Sequence, residues 1–246
     1  ASHLAVGVPG SVAGLLDVLE RDGRLDRKRV IQPAIDLASK GFVLDRDMVG
    51  QFARRQEVFA QYPASAAVFS NAGKPYAIGD LFVQTDLANT LRRIQKHGKA
   101  GFYQGATADL LVAEMQRGGG LISHDDLLDY SSSWREPIRG TYRGHEIVSM
   151  PPPSSGGILL VQMLNMLEPH EIGAMGYGSA ESIHLMIEAE RRAYADRAQH
   201  LGDADFYPVP IAELINKEYA RKRFADFDPA RAGISSTVGA GNIPYE

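Results

Sequence analysis

Cysteine is missing from this 246-residue chain, which excludes disulfides, thiol catalysis and zinc–thiolate sites. Tryptophan occurs once, at Trp134. No apolar run approaches the roughly 18 residues of a membrane-spanning helix, and no signal-peptide pattern opens the chain. Basic charge is also scarce. The 26 Lys and Arg residues face 30 Asp and Glu, a formal charge of −4, without the basic face or stripe of a nucleic-acid binder. What is abundant is punctuation, with 25 glycines and 13 prolines dividing the chain into short periodic segments. A chain of this size buries roughly 70% or more of its unfolded surface, so its core needs no covalent staples.

Helical periodicity dominates. Ser11 reads as an N-cap before Val12, Leu15, Leu16 and Leu19, with Gly23 just past the end. A second helix covers 26–40, with Pro33 expected to force a short first turn and a restart. A third covers 45–60, and the turn-rich stretch 63–79 leaves room for a short hairpin around Phe69 and Tyr76. Helices follow at 84–97 and 106–117, and Ser123-x-x-Asp126 resembles a capping box. Two strands, 138–142 and 145–150, meet at Arg143-Gly144. Beyond Pro151-Pro152-Pro153-Ser154-Ser155-Gly156-Gly157 come an apolar helix at 158–167, a long helix at about 179–200 and another at 209–225. The last stretch, 229–246, has no periodicity and reads as an extended tail. The fold class expected is α+β, predominantly helical. A complete α/β enzyme of this length would show more strands, which suggests part of something larger.

Few local patterns point to chemistry. Ser154, Ser155, Gly156 and Gly157 lie between a strand and a helix, where backbone N–H groups and the helix N-terminus favour an anion. The glycine spacing does not fit a nucleophile elbow. A rigid Pro-rich turn with Ser155 capping the next helix is the plainer reading, with an oxyanion or ligand loop kept beside it. Gly118-Gly119-Gly120 lacks the lysine and serine or threonine of a phosphate loop and reads as a helix stop. The turn from Gly7 to Ser11 reads as an ordinary capped helix start. His184 and Glu188 stand one turn apart, and Glu181 is the nearest third metal ligand. The series Glu188, Arg192, Asp196 at four-residue spacing accounts for the same face as an ion-pair ladder. The charged stretch 188–205 suits either a solvated or subunit-facing helix or a buried charge network. Trp134 reads as a core anchor.

Several stretches, in order over nearly the whole chain, resemble the gamma-glutamyltranspeptidase family. They include Gly7-Val8-Pro9-Gly10-Ser11, Gln32-Pro33-Ala34, Gly119-Gly120-Leu121-Ile122, Tyr142-Arg143-Gly144, Met150-Pro151-Pro152-Pro153-Ser154-Ser155-Gly156-Gly157, Ala195-Asp196-Arg197 and Leu201-Gly202-Asp203. The resemblance implies an N-terminal-nucleophile hydrolase with an αββα sandwich, matured by self-cleavage into large and small subunits. This chain resembles the later part of the large subunit: a helical lobe over 1–130, strands and helices of the core over 131–228, and a tail over 229–246 ahead of the expected self-cleavage point. No catalytic residue is then expected here, because the nucleophilic threonine would lie beyond Glu246. Thr237 and the arginines Arg54, Arg55 and Arg192 are not nominated in its place or as carboxylate binders. Ser154, Ser155, Gly156 and Gly157 are the candidates for reaching near the active-site cleft. The implied partners are the small subunit carrying the N-terminal threonine, a γ-glutamyl substrate such as glutathione, and an amino acid, dipeptide or water as acceptor. No cofactor or metal is implied, and the implied location is periplasmic or extracellular. A related cephalosporin (glutaryl) acylase and a non-catalytic helical assembly module are the alternatives.

Overall fold

The computed structural model describes residues 3–244, which form two compact units that divide between Ser133 and Trp134. Both are mainly helical, and each sheet among the described residues is a two-stranded antiparallel ribbon.

In the first unit, α1 spans Ser11–Asp22, but its N-cap is Gly10, and no side chain caps it. Ser11 is the first helical residue, so the expected serine cap is absent. The Tyr103 hydroxyl replaces it, accepting from the Ala13 N–H at 3.2 Å and donating to the Pro9 carbonyl at 2.6 Å. Tyr130 closes the turn, because a Cβ on Gly10 would fall 2.1 Å from its hydroxyl oxygen. Next, α2 (Arg27–Lys40) begins with Asp26 accepting from the Arg29 N–H and runs unbroken through Pro33. The expected restart does not occur. Bonds between Arg27, Lys28 or Gln32 and Gln95 tether the helix before the proline, and burial of Ile35 and Ala38 holds it after. These contacts offset a cost of about 3 kcal/mol for an interior proline.

Strand β1 (Phe42–Val43) leads to α3 (Arg46–Ala60), capped by Asp45. The stretch expected as a hairpin is instead α4 (Pro63–Phe69), with Pro63 in the first turn where its missing N–H is harmless. The helix carries Phe69 into an aromatic cluster, stacked on Phe59 at 4.5 Å and edge-on to Phe52 at 5.4 Å. A turn bridged between Asn71 and Lys74 follows. Strand β2 (Leu81–Phe82) pairs with β1, and α5 (Thr85–His97), α6 (Ala100–Tyr103), α7 (Gly105–Gly118) and α8 (His124–Leu128) complete the unit. Left-handed Gly119 (φ +69°) ends α7, and Ser123 and Asp126 form the reciprocal capping box.

In the second unit, β3 (Ile138–Tyr142) and β4 (His145–Ser149) pair with Ile138 opposite Ser149 and Tyr142 opposite His145. Arg143 and Gly144, with φ of +48° and +83°, make the tight turn between them. Helix α9 (Gly156–Leu167) packs on this ribbon at Gly140, where a Cβ would meet Val161 at 2.7 Å. Helix α10 (Ala180–His200) starts at Ser179, whose side chain accepts from the Ser182 N–H. The helix expected over 209–225 is two pieces, α11 (Ile211–Leu214) and α12 (Lys217–Arg223). Asn216 separates them by accepting the Glu218 and Tyr219 N–H groups, starting a new helix. One core cluster here is aliphatic, with Ile138, Ile158, Val161, Leu214 and Ile243 together, and a second gathers Met166, Leu185, Ala189 and Phe224. Trp134 is 53% exposed and is not the anchor that its rarity suggests.

Candidate functional site

The 154–157 loop is positioned by β4 and α9. After Ser149 the chain passes through Met150 and three prolines before entering α9 at Gly156. Gly157 is buried against this approach: a Cβ there would lie 2.2 Å from the Met150 carbonyl oxygen. At Gly156, by contrast, a Cβ would meet only the Ser154 Oγ at 3.5 Å. The close backbone crossing that the double glycine allows therefore belongs to Gly157.

The two serines also depart from a simple cap. Ser154 is exposed, and its Oγ accepts from the Gly156 N–H at 3.3 Å. Ser155 occupies the N-cap position of α9 with helical φ and ψ, and its side chain makes no capping bond. Its Oγ instead accepts from the Arg197 Nε at 2.9 Å. Thus the structure brings together the start of α9, the two serines and a guanidinium from α10. Arg197 and the α9 N-terminus give this loop a local positive potential suited to a carboxylate or developing oxyanion. Among the described residues, the partners of the two serine hydroxyls are the Gly156 N–H and Arg197, both donors and neither a base, so the geometry does not make a serine nucleophile.

Helix α10 supplies the second notable feature. Glu188, Arg192, Asp196 and His200 recur every fourth residue and are 2%, 3%, 0% and 3% exposed. The solvated-helix reading fails for this face. Arg192 bonds Glu188 at 2.7 Å, as the ladder expects, but its other side grips Asp226 at 2.8 Å rather than Asp196. Asp196 receives Gln162 from α9 at 2.5 Å, Tyr219 at 2.8 Å, both sides of the Arg223 guanidinium at 3.0 and 3.2 Å, and the Gly241 N–H at 2.7 Å. Burial alone would raise the Glu188 pKa. The Arg192 hydrogen bond, the Gly233 N–H and the charges of Arg191 and Arg192 outweigh it and hold the carboxyl below its usual range. Burial and the bond to Asp196 push the Tyr219 hydroxyl well above its usual range, so it remains a donor.

These contacts also bind the terminal stretch. It forms no helix or strand over 229–244, but Gly233 donates to Glu188 at 2.8 Å and the His200 Nε2 meets the Gly241 carbonyl at 2.8 Å. The extended tail expected from the sequence is thus held at several points.

The metal reading of His184 finds little support in geometry. Its Nε2 lies 4.0 Å from Glu188, whose oxygens already accept from Arg192 and Gly233. Among the described residues, no group of three His, Cys, Asp or Glu side chains is placed to hold a metal. Sequence reasoning missed Asp226, Tyr219 and Arg223 as partners of the α10 face. The available signal was the four-residue spacing from Glu188 to His200 alongside the apolar series Leu185, Ala189 and Ala193.

A two-unit helical chain with a strand–loop–helix connection and a buried acidic–basic helix face defines a scaffold type before any reaction. A family profile described as Gamma-glutamyltranspeptidase matches residues 1–243, and the chain belongs to that family. A glutathione hydrolase proenzyme of Pseudomonas sp. strain A14 is 45% identical over 99% of this chain and 43% of its own length. An acylase ACY 1 proenzyme of Pseudomonas sp. strain SE83 is 43% identical over 90% of this chain and 40% of its own length. The crystal structure of Helicobacter pylori gamma-glutamyltranspeptidase matches with TM-score 0.95 and 44% identity, covering 98% of this chain and 69% of that one. The chain thus spans about two-fifths of the length of the curated relatives it matches.

Proposed function

We propose that this chain is the large-subunit portion of an enzyme that hydrolyses or transfers the γ-glutamyl group of glutathione and related γ-glutamyl amides. The family match across residues 1–243 carries the reading. In the assembled enzyme, β3, β4 and α9 contribute to an αββα sandwich of the N-terminal-nucleophile type. The nucleophile is an N-terminal threonine on a partner polypeptide. Its Oγ attacks the γ-glutamyl carbonyl, its own α-amino group takes the proton, and the amine leaves. Backbone N–H donors stabilise the oxyanion. Water, or the amino group of an amino acid or dipeptide, then releases the acyl group from threonine. Ser154, Ser155, Gly156 and Gly157 border the cleft, where the α9 N-terminus and Arg197 favour substrate anions. The proposed setting is periplasmic or extracellular, with no cofactor.

A second reading, removal of a glutaryl-type side chain from a β-lactam nucleus, rests on the acylase relative at 43% identity. Co-expression with the partner polypeptide and assay on both donors tests the choice. Glutamate release from glutathione, requiring both polypeptides, is the expected result. Preferential glutaryl release would favour the acylase reading, and turnover of neither donor would favour a non-catalytic assembly module.

A further inference from the structure

The mechanism outlined above does not use the most completely satisfied buried charge in the second unit, Asp196. Its donors come from three separate parts of the fold: Gln162 on α9, Tyr219 and Arg223 on α12, and the Gly241 N–H on the terminal stretch. The same stretch is gripped through its carbonyls. Arg223 Nη2 donates to Gly239 at 2.9 Å, and His200 Nε2 meets the Gly241 carbonyl at 2.8 Å. Glycine at 241 is required by space, because a Cβ would lie 2.1 Å from the Tyr219 hydroxyl oxygen and 2.5 Å from Arg223 Cδ. Two residues later Ile243, 4% exposed, enters the cluster of Ile138 and Ile158. Ile158 directly follows Gly157, so the clamp delivers the chain to the base of the candidate loop.

Surface attachment of a terminal stretch needs no buried carboxylate, and a buried charge is costly unless its geometry is enforced. A fixed exit path is what such a geometry provides.

We infer that Asp196 is a positioning residue for self-cleavage: through Gly241 it fixes the path of residues 239–243 and thereby aligns the peptide bond cut downstream. The inference rests on the large-subunit reading above. In that cut, the threonine Oγ–H adds to the preceding carbonyl carbon, the C–N bond breaks, and the proton passes to the departing amine. Water hydrolyses the resulting ester, restoring the hydroxyl and leaving a carboxylate on the upstream chain. Attack of this kind depends steeply on alignment, with a misplacement of about 1 Å costing on the order of a hundredfold.

The test follows cleavage of the full proenzyme by intact mass, with melting temperature as the folding control. Gly241→Ala should remain folded yet cut tenfold to a hundredfold more slowly, on the order of what misplacement costs. Ile243→Ala, which frees the second anchor without touching Asp196, should slow cutting in the same direction. Asp196→Asn, which keeps an acceptor for the Gly241 N–H, should cut faster than Asp196→Ala, which keeps none, when the two are compared at equal fractions folded. Folded Gly241→Ala and Ile243→Ala proenzymes cutting at the wild-type rate would overturn the clamp while leaving the function intact. A folded wild-type proenzyme that never cuts would overturn the large-subunit reading and the clamp together.

Discussion

Adjacent glycines at the entry to α9 have different physical duties. Gly157 sits where a Cβ would collide with the Met150 carbonyl at 2.2 Å, whereas Gly156 has ordinary space around it. Gly157→Ala should therefore lower stability by at least about 1–3 kcal/mol, the cost of overpacking a fitted site. Gly156→Ala should be neutral or slightly stabilising, since alanine restricts the unfolded chain. Parallel thermal denaturation of the two variants checks the contrast. Ser155 makes a related point: alanine there removes the Arg197 contact rather than a helix cap. A motif such as Ser-Ser-Gly-Gly announces a turn, but the division of labour within it depends on which backbone crosses behind it.

Within α10, pH should act on stability through Glu188. Glu188 is held below its ordinary range, so its contribution is present above the unfolded-state pKa of about 4.3. That contribution is lost as pH falls through the still lower folded-state value. Glu188→Gln should accordingly be destabilised at neutral pH and show a flatter decline below pH about 4. The neutral-pH loss should stay below the roughly 3–5 kcal/mol of a fully orphaned buried charge, because Asp226 still partners Arg192. Denaturant titrations across pH 3–7 measure both effects. An acid limb identical to the wild type would mean that Glu188 does not supply this linkage. The α10 face also marks how far sequence reasoning reached. The helices bounded by Gly23 and Gly119, the Ser123–Asp126 box and the Arg143-Gly144 hairpin were legible because their signals are local. Burial of Glu188 and Asp196 was not, because several of the groups that satisfy them lie 23 to 45 residues away, at Tyr219, Arg223, Gly233 and Gly241. Pro33 inside α2 and the helical form of 63–69 were hidden for the same reason, since distant packing overrode local preference. The candidate loop was legible as a loop; its guanidinium neighbour from α10 was not.

At the scale of the whole molecule, scaffold and chemistry separate. Residues 1–243 match the gamma-glutamyltranspeptidase family, and the chain spans 43% of the length of a glutathione hydrolase relative. The structure supplies ordered helices, a short ribbon and a positively poised loop, while neither serine of that loop has a base beside it. The nucleophile that becomes acylated is proposed to belong to another polypeptide. Intact-mass analysis of the assembled enzyme after trapping with a γ-glutamyl-mimicking electrophile tests it most directly. The expected result is one adduct on the N-terminal threonine of the partner and none on this chain. A stoichiometric adduct on Ser154, Ser155 or any other residue of the chain would contradict it.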